Sequence, residues 1–339
     1  MRVRCTVLLV LALFLSGVGT AGAGPLVVGV VSDRSAAEVA AGAHRFLEAH
    51  PQAEVILRTP EQLTDKSDEA VSALWREADA ILVAAVFGDQ AARLDRLLRE
   101  TSPPEGAPIL AINSLRHLTA LSRIDGEAVL AGLDGEVRTE LAANPEPGED
   151  PRAHLVQQQE RFPEQADWLT GRAFYQGRTP ENMEGLMRWL AARGGHDIEV
   201  PEPDPRETIR YYRHGSSSPD PDALDLDDGP AVALLDLDTG DRPGDRALLD
   251  ATCEALEARE IQCFAVLARW GGASREAAET LAEAATPADL AGIVSLQDFV
   301  VDGGGNREAV AEAFGELDVP VIKGIRLADV SATQWRLSH

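Results

Sequence analysis

The sequence predicts an α/β protein with two doubly wound parallel-sheet domains joined by a helical segment. Short, continuous apolar runs alternate with segments of helical periodicity, which is typical of buried parallel strands and their crossover helices. The same alternation returns after a stretch rich in Pro, Ser and Asp. The 339 residues are long enough for two domains of medium size, each with its own core.

The first block of alternating elements spans residues 24–125. Leu26–Val31 is a short apolar run, and Ala80–Val86 is a second strong one, so both are predicted strands. Ser67 before Val71, Leu74 and Trp75 predicts a capped helix. The complete prediction for this block is strands at 26–31, 54–57, 80–86 and 109–113, with helices at 35–49, 67–77 and 90–100.

The second block spans residues 230–328 and repeats this architecture without obvious sequence identity. The prediction is strands at 231–237, 262–267, 292–296 and 319–322, with helices at 245–259, 275–285 and 307–316. Each block therefore has the pattern of a flavodoxin-like domain. Residues 206–229 between the blocks are predicted to be a linker or a surface excursion because they are rich in Pro, Ser and Asp.

The segment 126–205 departs from this alternation. Helices are predicted at 127–142, 154–161 and 166–171, with a polar loop at 144–151. Then comes the stretch AFYQGRTPENMEGLMRWL, residues 173–190. Gly177 permits a tight turn, Thr179 is a good N-cap, and Pro180 suits the first helical position. Met183, Leu186, Met187 and Leu190 follow on one apolar helix face, and Gly194-Gly195 closes the helix. Taken alone, this is a capped linker helix.

Residues 1–23 are predicted to be a secretion signal. Arg2 and Arg4 precede an apolar run at 7–15, which is too short to span a membrane comfortably, and Ala21-Gly22-Ala23 fits a cleavage site. We therefore expect an exported chain, periplasmic or extracellular, that does not span the membrane after cleavage. An uncleaved anchor is the alternative.

The charge excludes some partners and the cysteines leave two states open. The net charge is −25, and it becomes −27 if Arg2 and Arg4 are removed with the signal. Such a chain repels nucleic acid and anionic membrane surfaces.

Cys253 and Cys263 would remain after cleavage of the signal, and an oxidising compartment would allow them to pair. Because one lies in a predicted helix and the other in the next strand, the sequence favours two buried thiols.

Ligands of open parallel sheets bind beyond the carboxyl ends of the strands, so the residues at those ends are the candidate binding residues. They also have the composition of ordinary turns. Aromatic faces and cations also suit a flat ligand with carboxylate edges, and they come together in the run Arg210, Tyr211, Tyr212, Arg213 and His214. A surface loop with an aromatic anchor is the alternative for this run. The complete candidate set is Ser32, Asp33, Phe87, Gly88, Asn113, Tyr175, Asn182, His214, Thr239, Arg242, Gln297 and Lys323.

No catalytic residue can be assigned from the sequence. Neither a Gly-x-Ser-x-Gly motif nor paired carboxylates appear, and no His has a His or Cys partner at metal-ligand spacing. Gly303-Gly304-Gly305 could hold an anion on backbone N–H groups, but it lacks the Lys-Ser/Thr ending of a phosphate loop. A flexible loop with Asn306 as the N-cap is the alternative.

Several stretches in the same order resemble the N-terminal region of the CobN/magnesium-chelatase H family, the large subunits of cobalt and magnesium chelatases. The main one is an aromatic-Tyr-x-Gly-x-x-x-Glu-Asn pattern before a Leu-rich helix and the Pro-rich segment 200–205. The others are ADAILV with Phe87-Gly88, LDATCEALEAR with QCFAV, and LDVPVI with SATQW. A His after the Pro-rich segment also fits the family, which is the reason for including His214.

This resemblance implies a protein that binds a tetrapyrrole, either a corrin or a porphyrin, for the insertion of cobalt or magnesium. The family enzymes form nitrogen–metal bonds with separate ATPase subunits, and the substrate implied here is a tetrapyrrole with a divalent metal. Two departures are expected. Only the family's N-terminal part is present, with residues 329–339 as the start of the next segment, and the chain is exported away from cytoplasmic ATP. We therefore expect no metal insertion by this chain alone. Its expected role is either to bind a tetrapyrrole or to serve as one piece of a split large subunit that a second chain completes.

Two other functions remain open from the sequence. A periplasmic receptor with two α/β lobes and a hinge fits the composition and the export signal equally well. An inactive, truncated remnant of a chelatase subunit is the third possibility. The turn from Ala84 to Asp89 lacks the Arg that the family commonly has before its Gly-Gly, so the resemblance does not carry a family site residue over to this turn.

Overall fold

Two separate sheets organise the protein. The computed structural model describes residues 24–101, 103–145, 149–238, 246–269, 272–297 and 307–324, together with residues 333 and 336. The first sheet has four strands and the second has six. We call the first sheet with its helices the first unit and the second sheet with its helices the second unit. The predicted α/β class with two sheets is confirmed.

The first sheet is entirely parallel, in the order β2-β1-β3-β4. Its strands are β1 (Leu26–Val31), β2 (Glu54–Arg58), β3 (Ala80–Ala84) and β4 (Ile109–Ile112). Every residue of β3 is buried, as expected for a central strand covered on both faces. β3 ends two residues before its predicted end because Ala85 has a φ of 54°, which takes the chain out of the strand.

The helices of the first unit cover both faces of this sheet. They are α1 (Asp33–Ala49), α2 (Asp68–Arg76), α3 (Gly88–Glu100), α4 (Arg116–Thr119), α5 (Gly135–Ala142), α6 (Pro151–Arg161), α7 (Ala166–Gly177) and α8 (Pro180–Arg193). Ser67 accepts a hydrogen bond from the Ala70 N–H and so caps α2 as predicted. Neighbouring core clusters lie on the two faces of the sheet.

The predicted helix over residues 127–142 is wrong in its first half. Gly126 and Gly132 have φ values of 82° and 77°, which belong to turns. The helix α5 begins only after Asp134, whose carboxylate accepts hydrogen bonds from the Glu136 and Val137 N–H groups. The apolar spacing of this segment is real, but local glycines and a strong N-cap shorten the helix.

The helical segment does not simply connect two domains, because α7 and α8 belong to the core of the first unit. Met183, Leu186, Met187 and Leu190 are fully buried, which confirms the predicted apolar face. They join Val27, Leu82 and Phe46 of the first sheet and α1 in one cluster. Thr179 caps α8 through its hydroxyl and Pro180 occupies the first helical position, as predicted.

The turn before α8 differs from its prediction. The helix α7 runs through Tyr175 to Gly177, and the left-handed residue is Arg178, with a φ of 53°. Gly177 is needed for space, since a Cβ there would lie 2.2 Å from the Asn182 Nδ2 atom. The close approach of α7 and α8, and not a left-handed backbone, explains this glycine.

The second sheet is mixed, in the order β10-β9-β7-β8-β5-β6. Four strands are parallel, and an antiparallel hairpin forms one edge. The elements are β5 (Ile209–Arg213), β6 (Ser216–Ser218), β7 (Pro230–Leu237), α9 (Ala247–Glu257), β8 (Gln262–Ala268), α10 (Gly272–Glu279), α11 (Leu281–Ala285), β9 (Asp289–Ser295), α12 (Arg307–Glu316) and β10 (Val321–Lys323).

The prediction of a linker or surface excursion at residues 206–229 is therefore wrong for half of that segment. Its residues form β5 and β6, and Pro221–Leu224 is a short 3₁₀ helix. β5 extends the second sheet by pairing antiparallel with β8. Tyr211 and Tyr212 are buried on opposite faces of the sheet, in different clusters. Composition indicated a loop, but strand pairing decides the structure here.

The two cysteines form a disulfide, which corrects the prediction of two free thiols. Cys253 of α9 and Cys263 of β8 have Cα atoms 5.0 Å apart. The helix runs back over its following strand after a tight turn, so the two side chains face each other across the helix–sheet interface. Helix and strand assignments alone did not reveal this, because the distance depends on how α9 packs.

Some sequence predictions lie outside the described residues. These are the signal segment at 1–23, the candidate residues Thr239 and Arg242, the glycine run at 303–305, and most of 329–339. Within the described part of the chain, no helix combines the length and apolar character that crossing a membrane requires.

Candidate functional site

The candidate site lies at the carboxyl end of the first sheet, where α1 begins. Ser32 follows β1, and its hydroxyl donates a hydrogen bond to the Ser35 Oγ atom at 3.2 Å. Asn113 follows β4, and its amide donates to the Val86 carbonyl at 2.7 Å. Asn113 therefore ties two strand-end loops together. Both residues lie where the sequence predicted them, at neighbouring strand ends.

Tyr175 and Arg178 reach the same point from α7. The Tyr175 hydroxyl donates to the Ser35 Oγ atom at 2.8 Å, and the Arg178 Nη1 atom donates to it at 2.6 Å. The Arg178 guanidinium also lies 4.6 Å from the centre of the Tyr175 ring, a cation–π arrangement. Ser35 thus joins the predicted residues Ser32 and Tyr175 to an arginine that the sequence did not indicate.

Three further arginines extend this polar region toward the second unit. The Arg206 Nη1 atom lies 3.5 Å from the Gly177 carbonyl oxygen. Arg269 follows β8, and its Nη2 atom donates to the Arg206 carbonyl at 2.8 Å. Arg172 lies on α7, with its Nη2 atom donating to the Ala142 carbonyl at 2.7 Å. We call Arg172, Arg178, Arg206 and Arg269 the arginine junction.

The arginines of this junction lie close enough to influence each other. Burial, followed by the charge of Arg269, lowers the pKa of Arg172 to about 9. Burial also lowers the pKa of Arg269 to about 10. The charge of Asp238 acts to raise this pKa, whereas the charges of Arg178 and Arg206 act to lower it. Positive charge is therefore concentrated where the two units meet. An anion bound there would relieve this repulsion.

A small cavity opens beside the junction. Its volume is about 30 Å³, and it lies between α6, α7 and the end of β8. Arg172, Arg206 and Arg269 supply cationic groups to its wall, and His154 supplies an imidazole. A single ordered water needs about 10–15 Å³, so the cavity has room for a small polar group but not for a ring system.

The strand ends of the second unit carry a separate polar cluster. Asp238 follows β7 and pairs with Arg246 at 2.9 Å, with side chains only 5% and 8% exposed. The Gln297 amide lies 3.5 Å from the Asp236 carbonyl oxygen, and Lys323 donates to the Gln297 carbonyl. The predicted residues Gln297 and Lys323 therefore lie together at this edge. Asp238 influences Arg269, which places the cluster near the junction.

The structure does not bring the other described candidates to the junction. His214 lies in the hairpin turn between β5 and β6, 61% exposed, with its ring 2.8 Å from Glu257. Because β5 runs antiparallel to β8, this turn lies near the amino end of β8, whereas Arg269 follows its carboxyl end. Asn182 exchanges hydrogen bonds with the Asp204 backbone at 2.8 and 2.9 Å, so it is an anchor within the chain.

Phe87, Gly88 and Asp33 remain at the predicted edge of the first sheet. Phe87 is 50% exposed just before α3, and Gly88 has a φ of 63°. Asp33 is the exposed first residue of α1. Tyr212, which lies in the same aromatic and cationic run as His214, is buried. Burial, and then its hydrogen bond to Asp250, raises the pKa of Tyr212 to about 12.

The sequence alone did not indicate Ser35, or any of the four arginines of the arginine junction, as a site residue. Arg178 lies inside the stretch of residues 173–190, directly after Gly177, and this position was the available signal. Arg172, Arg206 and Arg269 come from three distant parts of the chain and are brought together only by folding. The described residues contain no group of three or more His, Cys, Asp or Glu side chains placed to hold a metal ion.

Fold and site together define a two-unit α/β protein with a cationic junction between the carboxyl edges of its two sheets. The model of the CobN/Magnesium Chelatase family matches residues 172–339. This part of the chain, which contains the whole arginine junction, belongs to that family. Among curated proteins, none matches the chain.

Two solved structures resemble the chain at low identity. One is the catalytic subunit of cobaltochelatase from Mycobacterium tuberculosis, with 15% identity and a TM-score of 0.43, covering 92% of this chain and 22% of that one. The other is a LacI family transcriptional regulator from Arthrobacter sp. FB24, with 12% identity and a TM-score of 0.21, covering 88% and 73%. The chain thus spans only about a fifth of the solved cobaltochelatase subunit.

Proposed function

We propose that this protein binds a tetrapyrrole and serves as part of a cobalt or magnesium chelatase large subunit. The observation that carries the proposal is the arginine junction within the family-matched residues 172–339. Corrins and porphyrins carry carboxylate or amide side chains around a flat ring. Guanidinium groups bind carboxylates with two parallel hydrogen bonds, and they stack on flat π systems.

The proposed ligand position is the face of the junction beside Arg178 and Tyr175. There the first sheet ends in hydroxyl groups, and the exposed Phe87 lies at the same sheet edge. A flat ring has an aromatic surface at this edge, while its acidic edge meets the cations. The arginines make this place locally positive in a chain whose net charge is −25, so an anionic ligand is attracted here and repelled by the chain as a whole.

We further propose that metal insertion requires more of the chelatase machinery than these residues. Chelation must remove protons from ring nitrogens and supply a metal. The chain spans about 22% of the solved cobaltochelatase subunit. The remaining parts of such a subunit, and ATPase subunits by family analogy, would complete the machinery.

Export is also part of the proposal, with the periplasm or the cell exterior as the compartment. The Cys253–Cys263 disulfide supports it, since such bonds persist in oxidising environments. Mass spectrometry of the protein from the periplasmic fraction measures the mature N-terminus. A start near Gly24 with an intact disulfide is expected, and a cytoplasmic protein with residue 1 retained would contradict export.

A visible-absorption titration tests tetrapyrrole binding. Purified protein is titrated with cobyrinate and, separately, with protoporphyrin; a shifted absorption band with a dissociation constant of about 10 μM or below is expected. Arg178→Gln should weaken binding about tenfold, because it removes one charge-assisted contact. No spectral shift at concentrations of tens of micromolar would overturn the proposal.

A two-lobed receptor for small anions is the second candidate. The observation that favours it is the meeting of two sheet edges at one cationic junction. Such a receptor would bind a non-tetrapyrrole anion and leave both absorption spectra unchanged. The titration therefore separates the two functions.

A further inference from the structure

The small cavity beside the arginine junction is built from both units of the protein. Its wall includes Arg172 and His154 of the first unit and Arg269 at the end of β8 in the second. The volume of about 30 Å³ exceeds what one water needs and suits a single carboxylate group. A tetrapyrrole ring is far too large for it.

The polar groups of the cavity wall point to an anion. Arg172 donates a hydrogen bond to a neutral oxygen, the Ala142 carbonyl. Within the described residues, no carboxylate forms an ion pair with Arg172. A half-buried guanidinium without a counter-charge is costly, and its lowered pKa reflects that cost. A carboxylate in the cavity would supply the missing charge.

His154 adds a second, independent polar group. Its Nδ1 atom lies 3.1 Å from Glu149, which favours a proton on that nitrogen. Its Nε2 atom is buried and has no hydrogen-bond partner among the residues that the structure describes. Buried polar atoms normally have partners. With the proton on Nδ1, the Nε2 atom is an acceptor, so a bridging water that donates both to Nε2 and to a bound carboxylate would satisfy it.

We infer that this cavity is a binding site for one carboxylate group of a larger anionic ligand, held by Arg172 and Arg269 with His154 beside it. The ligand body lies outside the cavity and the carboxylate bridges the two units. The inference rests on the proposed function only for the identity of the ligand. If the ligand is a tetrapyrrole, one of its carboxylate side chains enters the cavity.

Acetate is the probe, because it contains the carboxylate and little else. Thermal unfolding of the purified protein is measured in 100 mM sodium acetate and in 100 mM sodium chloride at the same pH. We expect acetate to raise the Tm by about 3 °C over chloride, as for a ligand present at about ten times its Kd. Equal values in the two salts would overturn the inference.

Arg172→Gln should abolish this acetate-specific shift. The matched control is Arg138→Gln: Arg138 also lies half-buried in the first unit and donates to the carbonyls of Leu130 and Leu133, but it is not in the cavity wall. Arg138→Gln should keep the shift. If Arg172→Gln does not fold, His154→Leu replaces it and should reduce the shift by at least half. A full shift in either cavity variant would contradict the site.

Two further outcomes separate the site from the proposed function. A tetrapyrrole titration that succeeds equally well in Arg172→Gln and in the unmodified protein would leave the proposed function standing and would overturn the assignment of a tetrapyrrole carboxylate to this site. An acetate shift that depends on Arg172, without any tetrapyrrole binding, would support the site and overturn the proposed function. Stabilisation by inorganic phosphate and not by acetate would also overturn the site.

Discussion

The two units of this protein are stabilised by different means. In the first unit, α8 packs so closely on α1 that Gly42 leaves no room for a side chain, and the sheet is purely parallel. In the second, a disulfide joins α9 to β8, and an antiparallel hairpin covers the edge of a mixed sheet. The first unit therefore depends on shape, and the second on a covalent bond and strand pairing.

This difference has a consequence for the junction between the units. Its arginines come from α7, the segment after α8, and the end of β8. Rigid packing of α7 and α8 positions Arg172 and Arg178, while the sheet of the second unit positions Arg269. A change that loosens one unit should therefore disturb its own arginines first.

Gly42→Leu should have the largest effect, confined at first to the first unit. A Cβ at this position would lie 2.2 Å from the Met183 Cβ atom and 2.4 Å from its carbonyl carbon, so α8 must move. We expect a loss of about 4 kcal/mol or more in the free energy of unfolding, measured by urea denaturation. The control is Gly315→Leu in α12, where nothing lies within 4 Å. Equal losses in the two variants would contradict the packing argument.

Removal of the disulfide should destabilise mainly the second unit. Cys253 and Cys263 are separated by 10 positions in the sequence. For a loop of this length the chain-entropy model gives a stabilisation of about 2–3 kcal/mol. Cys253→Ala with Cys263→Ala should therefore speed hydrogen exchange of β7 and β8, and leave β1 and β3 nearly unchanged. As a control, a reducing agent should add nothing to the double variant. Uniform acceleration in both sheets would mean that the units unfold together.

Asn182→Ala should release the chain that leaves α8. The buried amide holds the Asp204 N–H and carbonyl, and both bonds are lost in the variant. The expected cost is about 2 kcal/mol, since two backbone groups near Arg206 are left without their partner. Thr179→Ala at the start of the same helix is the comparison and should cost about 1 kcal/mol. Calorimetry measures both, and a smaller loss for Asn182→Ala would refute the anchoring role.

A small pH effect should trace to His50 in the first unit. Burial, and then the charge of Arg188, lowers the pKa of His50, whose ring packs 4.9 Å from that of Phe46. The unfolded chain takes up a proton near pH 6.5 that the folded chain resists, so this contribution is present above that pH and declines below it. His50→Leu should flatten the decline between about pH 6.5 and 5, whereas His44→Gln on the exposed face of α1 should not.

The parts of the fold that the sequence predicts well are those decided by local chemistry. The strand Leu26–Val31 is an unbroken apolar run and appears with its predicted bounds. Thr179 and Pro180 specify the start of α8 without reference to any neighbour. Helix starts and buried strands are governed by side chains a few residues apart, so reading along the chain is sufficient.

The linker prediction failed because local composition and strand pairing disagree. Residues 206–229 contain the turn formers of a loop, but the alternation through Tyr211 and Tyr212 lets β5 bury one ring on each face of the sheet. Only the presence of β8 as a partner makes that favourable. For the same reason the disulfide was missed: its 5.0 Å Cα separation is a property of how α9 lies on the sheet.

The α/β class, the alternation of elements and the capped helix of residues 180–193 could be predicted from the sequence. So could the family resemblance, which the family-model match over residues 172–339 confirms. The arginine junction, the cavity between the units and the pairing of the cysteines become visible only in the folded protein. They differ in how far apart along the chain the interacting residues lie. Hydrophobic periodicity and capping act over a few residues, whereas Arg172 and Arg269 become neighbours only after two sheets have folded and met.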